Sequence, residues 1–168
     1  GYVIFTPPED KYNYTRNEIL DRIAVALGGR VAEEIVFSEV TTGAQNDFEQ
    51  ATELARKMVT EFGMSEKLGP LSLGKRHGPI FLGRALVESR NYSEEIAYEI
   101  DKEIRRIIDE CYERGRATIT EHREGLERVA QALLEKESLE AEELNRVFAG
   151  LPADLPPDQR MPVTVILG

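Results

Sequence analysis

A single cysteine, Cys111, is present in the 168-residue sequence, so the chain cannot form an internal disulfide bond. One unpaired thiol fits a reducing compartment. The sequence also lacks an apolar run of the length that crosses a membrane, and residues 1–5 are too few for the hydrophobic part of a signal peptide. These absences exclude a disulfide-stapled scaffold and leave no candidate membrane span in the sequence.

Basic residues are scarce in this chain. Lysine and arginine number 21 against 31 aspartates and glutamates, which gives a formal net charge of −10. A surface that binds nucleic acid or anionic lipid needs patches of basic side chains, so we expect no nucleic-acid partner and no direct membrane contact by this chain. The composition, 41% hydrophobic and 31% charged, is that of a globular protein. We predict one domain over residues 1–150, followed by a proline-rich tail, residues 151–168.

The spacing of apolar residues predicts a mainly α fold. Thr15 and Glu18 match the T-x-x-E capping box, which marks the start of a first helix. Gly28 and Gly29 follow within the same helical pattern, and local rules leave two outcomes open there. Either the helix breaks at the glycines, or it continues because another backbone packs closely against them. A long helix is predicted after Ser93, with one apolar stripe: Ile96, Ile100, Ile104, Ile107 and Cys111.

Two shorter helices are expected towards the C-terminus, with apolar residues within 126–134 and 144–148. Such stripes serve an intrachain core or the packing of subunits. Residues 1–5 indicate a strand, and residues 71–73 and 80–82 indicate a hairpin. The predicted fold class is therefore mainly α, a helical bundle-like domain with a minor β element.

Asp47 lies in a helical segment whose apolar residues recur at intervals of four and three: Ala44, Phe48, Ala51, Ala55, Met58 and Phe62. It comes three residues after Ala44 and four before Ala51, so we expect it on the inward side. Thr42 and Gln45 match a T-x-x-Q capping box, which places the helix start just before Asp47. An acid in a first turn is favoured by the helix dipole alone. The alternative is a functional carboxylate, either a metal ligand or an acid or base.

Other residues that carry chemistry are few. The two histidines, His77 and His122, stand outside any H-E-x-x-H motif, and we expect the first in a loop and the second near a helix end. Cys111 lies on an apolar helical face and is predicted to be a core residue rather than a nucleophile. No G-x-S-x-G motif or P-loop is present. The residues of this chain alone form no complete catalytic constellation.

Two long stretches nevertheless match a known family. They are "LDRIAVALGGRVAEEIVF" followed by "VTTGAQNDFEQATELARKMVTEFGMSEKLGP", and "YSEEIAYEIDKEIRRIIDECYERGRATITEHREGLERVAQALLEKESLEAEEL" further along. Over roughly residues 1–148 the chain resembles the peptidase domain of the FtsH family of membrane-anchored, ATP-dependent zinc metalloproteases.

The resemblance implies roles for two residues. In that family, zinc is held by two histidines of an H-E-x-x-H helix and by the aspartate of a T-G-A-x-N-D motif, whose place Asp47 occupies. Glu33 matches a family glutamate near the zinc, which is hydrogen-bonded to a ligand histidine. The alternative for Glu33 is an ordinary surface acid beside Glu34.

The H-E-x-x-H motif is absent from this sequence. Without its two histidines and its water-activating glutamate, we predict that the isolated chain is inactive. In the family, the domain that uses ATP and the membrane helices also lie upstream. Because the sequence has no initiator Met and opens on a lone strand, we expect it to be a piece of a longer polypeptide.

For that parent protein, the resemblance implies protein substrates, a homo-hexameric ring and a place on the cytoplasmic side of the bacterial inner membrane or its organelle equivalent. The alternative is a non-catalytic helical module that serves ring assembly or partner binding.

Overall fold

The computed structural model describes residues 13–73 and 92–152 of the chain. Within these ranges the secondary structure consists of five α-helices and one 3-10 turn: α1 (Arg16–Phe37), the 3-10 turn (Thr42–Ala44), α2 (Gln45–Thr60), α3 (Glu94–Glu121), α4 (Arg123–Lys136) and α5 (Ala141–Phe148). The predicted mainly α fold is confirmed. The only β feature of the described residues is an isolated bridge between Ser65 and Gly69.

Most of the predicted β residues lie outside the described part of the chain. The N-terminal strand, residues 1–5, and the second arm of the hairpin, residues 80–82, lie outside the described residues. Residues 71–73, the predicted first arm, have irregular backbone.

Helix α1 begins as the sequence predicts. The Thr15 hydroxyl accepts a hydrogen bond from the Glu18 amide at 3.3 Å, and the Glu18 carboxylate accepts one from the Thr15 amide at 2.8 Å. The helix then continues through Gly28 and Gly29, so the predicted alternative of a break is wrong. Close packing of another backbone against the glycines is also absent in the described part of the chain, because, apart from the adjacent residues and the nearby backbone of α1 itself, no atom there lies within 4 Å of a Cβ built on either residue.

The main core joins one face of α1 to α2 and to the first two-thirds of α3. Its fully enclosed side chains come from all three helices at helical spacing: Ile23, Leu27, Met58, Val59, Ile100 and Ile107. Cys111 is buried in the same cluster, and burial raises the pKa of its thiol. Cys111 is therefore a core residue, as predicted.

The chain divides into two compact units, residues 1–116 and 117–168. In the second unit, α4 and α5 are joined by the Arg128 side chain, which donates to the carbonyl oxygens of Val147 at 3.2 Å and Phe148 at 2.6 Å. The predicted division into a domain of residues 1–150 and a tail of residues 151–168 stays a prediction. Among the described residues, no helix combines the length and apolar character that a membrane crossing requires.

Candidate functional site

Asp47 lies in the first turn of α2, as the sequence predicts. The residues one turn to either side, Ala44 and Ala51, are buried at 6% and 0% exposure, and Asp47 between them is half-buried. Within the described residues, no hydrogen bond or ion pair involves the Asp47 carboxylate. Both of its oxygens are therefore open to an added ligand in this part of the structure.

The backbone that leads into α2 differs from the prediction. Thr42 begins a 3-10 turn, so it already has helical backbone and cannot act as the capping residue, which must lie outside the helix. Thr41 has the required extended conformation, and its hydroxyl accepts a hydrogen bond from the Gly43 amide at 3.2 Å. Ala44 precedes α2 without a side-chain cap. The predicted capping box of Thr42 and Gln45 is therefore wrong.

Glu33 of α1 contacts this same segment. Its Oε2 accepts a hydrogen bond from the Thr41 amide at 3.1 Å, and its Oε1 accepts one from the Thr41 hydroxyl at 2.9 Å. The neighbouring Glu34 points elsewhere and pairs with Arg116 of α3 at 2.6 Å. Two consecutive glutamates thus contact different elements, because successive residues of a helix project about 100° apart.

Arg30, one turn before Glu33, was missed by the sequence reasoning, as was Thr41. The Arg30 guanidinium donates to the Thr41 carbonyl oxygen at 3.0 Å and lies 5.6 Å from the centroid of the Phe48 ring. Phe48 directly follows Asp47 in the chain. The spacing of Arg30 and Glu33, three residues apart, places both on one flank of α1 and was the only sequence signal for this arrangement.

A second carboxylate, Glu103 of α3, lies near the other end of α2 and has a different environment. It is 1% exposed and accepts hydrogen bonds from the Ser65 hydroxyl at 2.9 Å and from two nitrogens of Arg106 at 2.9 and 2.8 Å. These bonds, led by those from Arg106, hold the pKa of Glu103 below its ordinary value although burial acts in the opposite direction. Because it is buried and both of its oxygens are bonded by neighbouring side chains, Glu103 has a structural role.

The described residues contain no group of three histidine, cysteine, aspartate or glutamate side chains that could hold a metal ion. His122 lies between α3 and α4 with its ring 5.7 Å from that of Phe148, and His77 lies outside the described residues. An aspartate oxygen is an ordinary ligand of zinc, which takes at least three protein ligands. Asp47 therefore fits one position of a zinc site that needs further ligands.

Comparison with known proteins gives matches to one family along most of the chain. Residues 1–147 match the model of peptidase family M41. The chain is 57% identical over 149 residues to the ATP-dependent zinc metalloprotease FtsH of Bacillus subtilis, covering 88% of the chain and 23% of that protein. It is 54% identical to FtsH 1 of Thermoanaerobacter sp., covering 89% of the chain and 24% of the relative.

A third relative, FtsH 3 of Symbiobacterium thermophilum, is 53% identical over 157 residues, covering 94% of the chain and 25% of the relative. The chain thus spans about a quarter of the length of the relatives that it matches. The resemblance drawn from the sequence is confirmed, and the chain belongs to peptidase family M41.

Proposed function

We propose that the protein containing this chain is an ATP-dependent zinc metalloprotease that hydrolyses peptide bonds in proteins, and that Asp47 is one of its zinc ligands. The observation that carries the proposal is the environment of the Asp47 carboxylate. Its carboxylate is half-buried at the start of a helix, where negative charge is favoured, and it makes no hydrogen bond within the described residues. The three relatives are all named ATP-dependent zinc metalloproteases, which supports the choice of metal and reaction.

The chemistry divides between this chain and the segments outside it. Zinc, when bound, polarises the substrate carbonyl and makes a bound water more acidic. Asp47 supplies one anionic oxygen to that site, from a helix whose buried face fixes its direction. The two histidine ligands and the water-activating glutamate belong to an H-E-x-x-H helix, a motif that this sequence does not contain. The isolated chain is therefore proposed to bind zinc weakly and to cleave nothing.

Further properties of the parent protein are inferred from the resemblance alone. ATP is used by a domain outside this chain, the subunits form a homo-hexameric ring, and the peptidase domain works at the cytoplasmic side of a membrane. Glu33 acts near the zinc ligands without binding the metal. Support for this role comes from its two hydrogen bonds to Thr41, six residues before Asp47.

The proposal is tested with the full-length protein and its Asp47→Asn variant. This substitution keeps the side-chain shape and removes the charge, so we expect zinc content and casein cleavage to fall together by at least about tenfold, while helicity stays unchanged. Glu49→Gln, an acid two residues later whose carboxylate bonds Gln45, is the matched control and should behave like the wild type.

Undiminished zinc and cleavage in Asp47→Asn would contradict the role of Asp47. A wild-type protein that assembles but contains no zinc and cleaves nothing would instead support the alternative of a non-catalytic helical module.

A further inference from the structure

Every polar group of Thr41 is engaged. Its amide and hydroxyl both donate to the Glu33 carboxylate, at 3.1 and 2.9 Å, and its carbonyl oxygen accepts from Arg30 at 3.0 Å. The hydroxyl also accepts from the Gly43 amide at 3.2 Å. These are four hydrogen bonds on one exposed residue, and two of them involve its hydroxyl.

The two side chains that hold Thr41 come from the same rigid element. Arg30 and Glu33 lie three residues apart in the last third of α1, and core residues of the same helix, Leu27 and Val31, are 1% and 0% exposed. Thr41 is therefore fixed with respect to a helix that is itself fixed by the core. Hydrogen bonds to ionised groups are stronger than those between neutral groups, and here the carboxylate and the guanidinium both bear charge.

Only five residues separate Thr41 from Asp47, and few of them are free to move independently. The bond from Gly43 to the Thr41 hydroxyl shapes the 3-10 turn, and Ala44 at its end is 6% exposed. Helix α2 begins at the next residue. The Arg30 guanidinium also lies over the ring of Phe48, so the same side chain contacts the chain before and after Asp47.

We propose that Thr41 is a positioning residue for the zinc site: its hydroxyl, held between Glu33 and the Gly43 amide, sets the direction of the first turn of α2 and thereby of the Asp47 carboxylate. The inference rests on the proposed function of Asp47. The resemblance implies a hydrogen bond between Glu33 and a ligand histidine; within the described residues, the carboxylate oxygens of Glu33 bond the Thr41 amide and hydroxyl.

The contribution of the Thr41 hydroxyl can be tested without changing the size of the side chain. Valine has nearly the shape of threonine but can neither donate to Glu33 nor accept from Gly43. Serine retains both bonds. The adjacent Thr42 offers a matched control, because within the described residues its hydroxyl makes no hydrogen bond.

The experiment uses the full-length protein and its Thr41→Val, Thr41→Ser, Thr42→Val and Asp47→Asn variants. Zinc affinity is measured by competition with a chelator, and the geometry of the site by the visible absorption spectrum of the cobalt-substituted protein. We expect Thr41→Val to bind zinc about tenfold more weakly and to change the cobalt spectrum, because groups that orient a metal ligand have effects of that size. Thr41→Ser and Thr42→Val should match the wild type in both measurements.

The results distinguish this inference from the proposed function. If Asp47→Asn loses zinc but Thr41→Val matches the wild type in affinity and spectrum, the positioning role is wrong and the role of Asp47 stands. If Asp47→Asn retains zinc, the proposed function fails and the inference falls with it. Glu33→Gln is a second test of the positioning role, since it keeps the side-chain size and weakens the bonds to Thr41. It should lower the zinc affinity, as Thr41→Val does.

Discussion

The two ends of α2 can be compared through a hydroxyl group beside each. Before α2, the Thr41 hydroxyl donates to Glu33 of α1 and accepts from the Gly43 amide. After α2, the Ser65 hydroxyl donates to Glu103 of α3 and accepts from the amides of Lys67 and Leu68. The same arrangement of hydroxyl, carboxylate and backbone amide thus occurs at both ends of one helix. We call them the Thr41–Glu33 pair and the Ser65–Glu103 pair.

The two pairs differ in burial and in what lies beside them. Glu103 is 1% exposed and bonds Arg106 as well, whereas Glu33 is only half-buried. A buried carboxylate that loses its partners costs far more free energy than one that water can reach. The Ser65–Glu103 pair therefore stabilises the fold, while the Thr41–Glu33 pair holds an exposed turn that leads to Asp47.

Replacing each carboxylate by alanine should give the largest difference in stability between the two pairs. We expect Glu103→Ala to lower the free energy of unfolding of the chain by about 3 kcal/mol, because Ser65 and Arg106 lose a shared buried acceptor. Glu33→Ala should cost about 1 kcal/mol or less, because water can replace the lost bonds. Urea denaturation followed by circular dichroism measures both values, and equal losses in the two variants would contradict the division of roles.

A glycine near each hydroxyl allows a second, smaller test. Gly63 has a positive φ of 59°, and a Cβ there would lie 3.0 Å from the Cα of Pro70. Gly63→Ala should therefore destabilise the chain by about 1–2 kcal/mol. At Gly43 the backbone has no positive φ, and the nearest atom to an added Cβ is the Thr41 hydroxyl oxygen at 3.3 Å, a contact that a shift of a few tenths of an ångström relieves, so Gly43→Ala should stay within about 0.5 kcal/mol of the wild type.

The thermal unfolding midpoints of the two alanine variants provide the measurement. A Gly43→Ala variant as unstable as Gly63→Ala would show that the chain before α2 is as tightly constrained as the chain after it.

Lowering the pH should produce the smallest of the three effects on stability. The pKa of Glu103 is lower in the folded chain than its ordinary value of 4.5, so its ionised form contributes stability above that value, and the contribution is lost as the pH falls through the lower folded pKa. The stability gap between the wild type and Glu103→Gln should therefore narrow as the pH falls below about 4.5. Urea titrations at several pH values measure the gap, and a constant gap would exclude this contribution.

Much of the fold follows from apolar spacing alone. Four residues of the predicted stripe, Ile100, Ile104, Ile107 and Cys111, are buried, and Ile96 is partly buried against the same core, since a helix with one strongly apolar face has only one side to bury. The Ser93 hydroxyl accepts a hydrogen bond from the Ile96 amide at the start of α3, which confirms a local rule that needs no tertiary contact. The placement of Asp47 in a first turn succeeded for the same reason.

The failures concern contacts between elements. Glu33 and Glu34 are equivalent in the sequence, and only the placement of Thr41 and Arg116 around α1 gives them different partners. The capping residue of the segment before α2 was misplaced by one position because a 3-10 turn precedes the helix. Local sequence rules describe the start of a helix, but they do not specify a turn that a neighbouring helix holds in place.

The hydrogen bonds of Thr41 also bear on the length of the segment that joins α1 to α2. Residues 38–41 are exposed, and exposed connections ordinarily tolerate insertions and deletions because nothing depends on their path. Here one added residue would move Thr41 away from Arg30 and Glu33 while leaving both helices and their buried faces intact. Such a protein should fold and still carry a redirected Asp47, so, on the proposed role of Asp47, the residue count of this surface loop constrains the zinc site rather than the fold.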